Sequence, residues 1–514
     1  MKTRKENFDA IIIGSGIGGL VTASQLAAKG AKVLVLEKYI IPGGSGGSFK
    51  RKGYIFDVGA SMIFGFGDKG YTNLLTRALK DVDEKCDTIP DPVQLEYHLP
   101  NNFNISVDRD YEIFIKKLSD RFPDEKDGIK KFYGTCEKVF NCLDSMPLLS
   151  IEDPSYLFKV FLKAPISCLG LARWLPINAG DVARKFIKDP ELLRFIDIEC
   201  FCWSVMPALK TPMINAGMVF TDRHAGGINY PKGGVGQIAE KLVSGIERLG
   251  SKVRYKANVT EIMLKDKKAV GVKLSNGEEL YSNIIVSNST RWDTFGLGNK
   301  KKGLVSKKYV PKNEYKWSET YKASPSFVSI HLGVEKELID ENFNCHHIIV
   351  ENWDELENER GVIFISIPTL LDSSLAPDGK HIIHAFTPSS IKEWENLSSK
   401  EYLLKKEEYF KFIIKQISKI IPNVGQQISH KEIGTPKTHR KFLGRFQGSY
   451  GPIPNKKLLG LLPMPFNTTK IQNLYCVGDS CFPGQGLNAV AFSGYACAHK
   501  VGAKLNINNF NLPD

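Results

Sequence analysis

Six residues, Gly14-Ser15-Gly16-Ile17-Gly18-Gly19, constrain this chain more than any others. The apolar run Phe8 to Ile13 precedes them directly, and Leu20 to Lys29, rich in helix formers, follows. The order reads as strand, tight glycine turn and helix. Gly30 stops the helix where a C-terminal cap glycine belongs, and Lys32 to Leu36 reads as a second strand, buried on both faces and closed by Glu37. The unit is therefore βαβ. Gly14 permits the turn out of the strand, Gly16 lets the backbone approach a pyrophosphate, and Gly19 allows the helix to pack closely on the sheet. The first turn of the helix presents unpaired N–H groups and a positive dipole end to the phosphates. Glu37 lies eighteen residues beyond Gly19. A carboxylate there accepts hydrogen bonds from a ribose and repels a 2′-phosphate, which selects FAD or NAD over NADP.

A second glycine loop, Pro42-Gly43-Gly44-Ser45-Gly46-Gly47-Ser48, tips the choice to a flavin. An extended FAD needs close backbone approach along its diphosphate and ribityl chain, whereas a simple NAD site has little use for such a loop. The chain has 514 residues, beyond the usual limit for one core, so two domains are expected. Its net charge of +13 comes from scattered lysines, with only short clusters such as Lys300-Lys301-Lys302. That favours an anionic membrane surface and gives no nucleic-acid patch. The ten cysteines contain no Cys-x-x-Cys pair. The groupings Cys200-x-Cys202, Cys476 with Cys481, and Cys345-His346-His347 lack a second ligand pair at metal spacing, so no metal is expected. The glycine motif begins too near Met1 for a signal peptide or long transit peptide to be expected, and the cysteine usage reads as a reducing compartment.

The βαβ rhythm disappears from about Tyr97 to Tyr230 and resumes with the loop Tyr230 to Gln237, a helix to Leu249 and the strand Lys252 to Tyr255. Asn258 to Ile262 and Ala269 to Leu274 alternate like a hairpin, and Ile284 to Ser287 returns to the sheet. Strands at Phe327 to Leu332 and Val362 to Ile367, with a helix over Lys400 to Ile421, suit a second visit to another domain. The fold class expected is α/β: a Rossmann-like FAD-binding domain made from residues 1–96, 231–299 and 436–514, interleaved with an α+β substrate domain made from 97–230 and 300–435. Ser155 to Gly180 is apolar with isolated charges at Lys159, Lys163 and Arg173, the pattern of a segment lying in a membrane interface. Its longest uncharged piece, Ala164 to Ala172, falls far short of the ~20 residues of a spanning helix. Cys200 to Thr221, interrupted by Pro207, Lys210 and Pro212, reads as pocket lining. Near the end, Leu474 to Asp479 is a strand closed by a carboxylate, and Phe482 to Gly486 opens a helix from Leu487 to Val501. Asp479 suits a ribityl hydroxyl, and the helix N-terminus suits negative charge on the pyrimidine end of a reduced flavin.

These segments together resemble the carotenoid and amine-oxidase-like FAD superfamily, and more narrowly the carotenoid isomerases, also called prolycopene isomerases. The resemblance runs from Asp9 to about Val501. It rests on Glu199-Cys200-Phe201-Cys202-Trp203-Ser204-Val205, on Asp222-Arg223-His224 with Gly226 to Pro231, on Asp372 to Gly379, and on Tyr475 to Gly486. Leu487-Asn488, beside the expected flavin, is a departure from the family pattern. The FAD-binding residues expected in the first half are Gly14, Ser15, Gly16, Gly19, Glu37 and Lys38. Gly44 and Ser45 join them from the second loop, and Val259, Asp479 and Gly486 from later segments, with Val259 near the adenine if the FAD domain is of the usual kind.

The resemblance implies conversion of poly-cis lycopene to its all-trans isomer with FAD in its reduced form and no net redox change, NAD(P)H being one candidate external reductant. A polyene has no ionisable handle, so rotation about a double bond requires its bond order to fall transiently. A reduced flavin can achieve this by donating electron density or exchanging a proton, while the protein supplies an apolar tunnel. No side chain is assigned as acid or base at this stage. The partners expected are the poly-cis carotene and, peripherally, the cytoplasmic side of a photosynthetic or plasma membrane. Two other readings stand beside this one: a flavin desaturase or saturase of a related polyene, and a non-enzymatic lipid escort on the same fold, weakened by retention of Gly14, Gly16, Gly19, Glu37 and Asp479.

Overall fold

The computed structural model describes residues 7–59, 61–68, 70–145, 152, 154–299 and 302–507. Lys300 and Lys301 of the lysine cluster lie outside the described residues. The glycine motif joins the strand Ala10–Ile13 to the helix Ile17–Ala28, which returns to the strand Val33–Leu36. These two strands sit in a five-stranded parallel sheet in the order Leu474–Cys476, Ile285–Ser287, Ala10–Ile13, Val33–Leu36, Lys252–Arg254. Alternation along a strand sends successive side chains to opposite faces. Here Ala10, Ile12, Val33 and Val35 enter one core while Ile11, Ile13, Leu34 and Leu36 enter another. This is why the sequence shows continuous apolar runs rather than alternation. The helices Ile17–Ala28, Gly236–Arg248 and Leu487–Lys504 cover the first face. Close packing of the first and last depends on Gly494, where a Cβ would meet Gly18 O and Val21 Cβ at 2.8 Å. A three-stranded antiparallel sheet, Val259–Lys265, Lys268–Leu274 and Glu279–Tyr281, lies over the other face.

A second, seven-stranded sheet runs Ile428–Gly434, Ser326–Glu335, Lys380–Ser389, Ile363–Ser366, His346–Ile349, Val93–Leu99, Phe103–Asp108. All its pairs are antiparallel except His346–Ile349 with Val93–Leu99. One face carries Val328, Ile330, Leu332, Ile363, Ile365 and Ile383 against Tyr409, Ile413 and Ile417 of the helix Ser399–Ile417. That helix starts at a capping box in which Ser398 and Glu401 satisfy each other's backbone N–H groups. The opposite face turns Phe327, His331, Phe364, His384 and Phe386 toward the cavity described below.

Between Tyr111 and Ala225 the elements among the described residues are all helices. The stretch read as interfacial divides into two helices, Pro154–Lys163 and Pro165–Trp174. The break falls at Ala164 because Pro165 lacks an N–H and pushes its predecessor out of helical geometry, to φ −141° and ψ 63°. The segment Cys200 to Thr221 divides similarly. The helix Pro190–Ser204 ends at Val205, held at φ 56°, and a new helix starts at Met213.

Candidate active site

The two glycine loops meet. Gly43 N donates to Ser15 O at 2.8 Å, and Gly16 and Gly43 form an isolated parallel bridge. Gly14 at φ 93° and Gly43 at φ 97° adopt left-handed backbone that a side chain would strain. Gly16 differs, with φ −65°, as the residue capping the helix Ile17–Ala28. Its lack of a side chain serves space alone. Around this cradle lies a cavity of ≈1130 Å³, bordered by Gly14, Gly16, Glu37, Lys38, Gly44 and Ser45, and further along by Val259, Asp479 and Gly486. Two of the residues expected to bind cofactor stand behind it. Gly19 packs against the Gly14 carbonyl, where a Cβ would collide. Ser15 holds Glu37 in place, donating from its backbone N at 2.9 Å and its Oγ at 2.7 Å to Oε2. With Tyr39 N donating to Oε1 at 2.7 Å, the Glu37 carboxylate is fixed at the cavity edge and keeps acceptor capacity for a ribose. Lys38 reaches Lys441 O at 3.2 Å. Val259 starts its strand at the cavity and is 8% exposed.

Several residues that sequence reasoning missed complete the cradle. Asn288, just past the strand Ile285–Ser287, lies beside five glycines: Cβ atoms added at Gly14, Gly16, Gly18, Gly19 and Gly478 would all come within 4 Å of it. Arg445 pairs with Asp479 Oδ2 and is itself anchored on Ser449 O and Tyr450 O, both at 2.6 Å. Asp479 thereby stands in the cavity wall as a compensated carboxylate. The buried pair Arg291–Glu314, at 2.7 Å, steadies the same loop, because Arg291 Nε also donates to Ser480 O at 3.1 Å. A cradle made of glycine backbone, with a fixed carboxylate for ribose at one end and the Asp479 loop at the other, fits an extended FAD.

The segments that carried the resemblance tie the helical layer together. Glu199 accepts from Arg223 at 2.6 Å and from Tyr133, all three buried. Asp372 accepts from Gly233 N at 2.6 Å and from Ser374, fixing the loop that opens the helix Gly236–Arg248. Cys202, Trp203, Val205 and Met218 line the cavity, so the Cys200 to Thr221 segment lies where pocket lining was expected.

The far wall is aromatic. His331 and His384 stack at 4.3 Å among Phe327, Phe364 and Phe386. Burial pushes His331 down to about 4 and His384 further below its ordinary range, so both are neutral at pH 7. The stacked pair and its phenylalanines are therefore uncharged, suited to a conjugated hydrocarbon. Several carboxylates border the cavity, Glu37, Glu432 and Asp479 among them, and Asp222 is the most deeply buried of these. Asp222, 1% exposed on the helix Met213–Ala225, accepts at Oδ2 from Asn488 Nδ2 at 3.0 Å, while its Oδ1 lies against the Gly226 backbone with no hydrogen bond of good geometry among the described residues. Burial raises it to about 8 against the lowering effect of Asn488. Asp222 lies next to the N-terminus of the helix Leu487–Lys504.

The comparisons with known proteins agree with this geometry. Residues 12–79 match the NAD(P)-binding Rossmann-like domain, and residues 180–501 match the flavin containing amine oxidoreductase family. The chain is 58% identical over 504 residues to prolycopene isomerase 1, chloroplastic, of an Oncidium hybrid cultivar, covering 98% of this chain and 85% of that one. It is 56% identical over 502 residues to the chloroplastic prolycopene isomerase of Arabidopsis thaliana, covering 97% and 83%. Among solved structures, wild-type putrescine oxidase bound to putrescine superposes with a TM-score of 0.63 at 13% identity, covering 98% of this chain and all of the other; this likeness concerns the fold.

Proposed function

Because the chain belongs to the prolycopene isomerase family, of the flavin containing amine oxidoreductase type, we propose that it isomerises poly-cis lycopene to all-trans lycopene with reduced FAD and no net redox change. One observation carries the reading on the structural side: a single cavity joins the glycine cradle to the neutral aromatic wall. Bound in the cradle, a reduced flavin supplies electron density and negative charge beside the polyene. The chain's own residues do the rest. Phe327, Phe364, Phe386 and the His331–His384 stack hold a flat hydrocarbon and exclude water. Asp222 holds a proton at its Oδ1. Transfer of that proton to a polyene carbon uses the π pair of a cis double bond to make a C–H bond and leaves a delocalised cation. The former double bond then rotates, and return of a proton to the Asp222 carboxylate restores it. Atoms and electrons balance, and nothing is oxidised.

The test is to reduce the flavin once without oxygen, remove excess reductant and supply many equivalents of poly-cis lycopene. Many turnovers to a product of unchanged mass are expected. One turnover per flavin, or a mass change of two hydrogens, would replace isomerisation with desaturation or saturation.

A hydrocarbon of this kind resides in a bilayer, and we propose that the protein docks on one peripherally. Among the described residues no helix is long and apolar enough to cross a membrane. The helices Pro154–Lys163 and Pro165–Trp174 instead expose Phe158, Leu162, Ile166 and Leu169, Ile166 to 84%. Leu459 and Leu462 extend the patch, since Leu461 N bonds Leu175 O at 2.9 Å just beyond the second helix. Lys159, Lys163 and Arg173 suit headgroups. Trp174, by contrast, is half-buried beneath the Arg173 guanidinium, so the aliphatic residues make the contact. Flotation with anionic vesicles should carry the protein upward, weakly salt-sensitive, and Leu162→Asp with Ile166→Asp should cut the floated fraction several-fold. Protein that stays wholly soluble overturns the docking.

A further inference from the structure

We propose that Asp91, Cys345 and His346 form a structural zinc site. Asp91 follows the strand Thr88–Pro90, and Cys345 and His346 lead into the strand His346–Ile349. Their ligand atoms all lie within 4.8 Å of one another, and the three residues are 2%, 3% and 1% exposed. Asp91 Oδ2 and His346 Nε2 point at each other across 3.7 Å, and neither has a hydrogen-bond partner among the described residues. That separation is too long for a hydrogen bond. It is close to the roughly 3.3 Å edge of a tetrahedron whose metal–ligand bonds are about 2.0 Å.

The surroundings hold the ligands in this arrangement. His346 Nδ1 is engaged with Ser366 Oγ at 2.8 Å, which orients the ring and leaves Nε2 as the free end. Asp91 Oδ1 accepts from Val93 N at 3.2 Å, leaving Oδ2. Cys345 O accepts from Ile367 N at 2.8 Å, which fixes the cysteine on the sheet. A carboxylate, a thiolate and an imidazole make a donor set for zinc and not for magnesium or calcium, which take oxygen. The two anionic ligands neutralise the ion, so the buried site carries no net charge. The neighbouring group, Glu96, His98 and His347, behaves differently. His98 Nε2 bonds His347 Nδ1 at 3.1 Å, and Glu96 takes Asn344 Nδ2 at 2.8 Å, so no atom there awaits an ion.

None of the three proposed ligands lines the cavity. The site is thus a clamp between the segment after Pro90 and the middle of the seven-stranded sheet, separate from the flavin chemistry. Sequence spacing offered no second ligand because the fold brings Asp91 to Cys345 from 254 positions earlier.

The test uses the full-length flavoprotein. Metal analysis should find roughly one zinc per chain, and X-ray absorption at the zinc edge should show one sulfur neighbour at about 2.3 Å with nitrogen and oxygen at about 2.0 Å. Cys345→Ser should lose the sulfur neighbour while its flavin absorbance reports an intact fold. Protein purified from zinc-supplemented medium that holds no zinc, or zinc without a sulfur neighbour, overturns the proposal. If Cys345→Ser does not fold, the wild-type metal count and edge spectrum decide alone.

Discussion

Gly16→Val is expected to yield a folded protein that has lost its flavin. The backbone tolerates the change, because Gly16 sits at φ −65° and ψ 162°, ordinary extended geometry for valine. The space does not. A Cβ at Gly16 would come within 2.7 Å of Asn288 Nδ2, and the rest of the valine would stand in the cavity where the diphosphate must approach backbone. Asn288 is a side chain and can swing aside, which preserves the fold. The cofactor has no such freedom, since Gly43 and Gly44 close the opposite side and a Cβ at Gly44 would lie only 3.5 Å from Gly16 Cα. FAD content per chain should fall at least ~10-fold, equivalent to about 1.4 kcal/mol or more of binding, with circular dichroism unchanged. Gly14→Ala is the contrasting variant: its φ of 93° strains any side chain, so loss of flavin there would come with loss of stability. A folded Gly16→Val protein with full flavin would sink the cradle assignment.

The nucleotide half of the fold was legible because each signal in it is local. Gly14, Gly16 and Gly19 encode one turn and one helix start within a few residues. The runs at Ala10–Ile13 and Val33–Leu36 are apolar throughout because both faces of that sheet are covered. The substrate half is encoded at long range. Val93–Leu99 pairs with His346–Ile349, some 250 positions away, and no pattern in either strand names its partner. The same distance hid most of the site. Arg445 reads as one more scattered basic residue until the fold sets it against Asp479. Asn288 reads as one more polar residue after a strand until five glycines surround it. Asp222 stood inside a segment that the resemblance singled out, yet its meaning depends on Asn488, 266 positions later. Ser155 to Gly180 reads as one interfacial segment only when Pro165 is given no weight; that proline divides it into two short helices.

Asp222→Asn is expected to abolish isomerisation while leaving the flavin bound and reducible. Asparagine keeps the size and the contact to Asn488 but cannot carry the proton at Oδ1. General acid–base groups contribute ~10²–10⁴-fold, so a fall of that order is the expected loss. The wild-type rate should also follow the carboxyl's own titration. Raised to about 8 by burial, Asp222 is protonated at neutral pH, so activity should persist below that value and fade as pH rises through it. Stability gives a readout independent of turnover. Between the ordinary carboxyl value of 3.8 and about 8 the folded protein holds a proton that the unfolded chain releases. Raising the pH across this window therefore removes stability. Asp222→Asn should flatten that slope. Turnover in D2O separates proton exchange from donation of electron density alone, because a proton delivered from Asp222 leaves deuterium in the all-trans product. A full rate in Asp222→Asn, with no deuterium in the wild-type product, would remove Asp222 from the chemistry and leave rotation to the flavin's electron density.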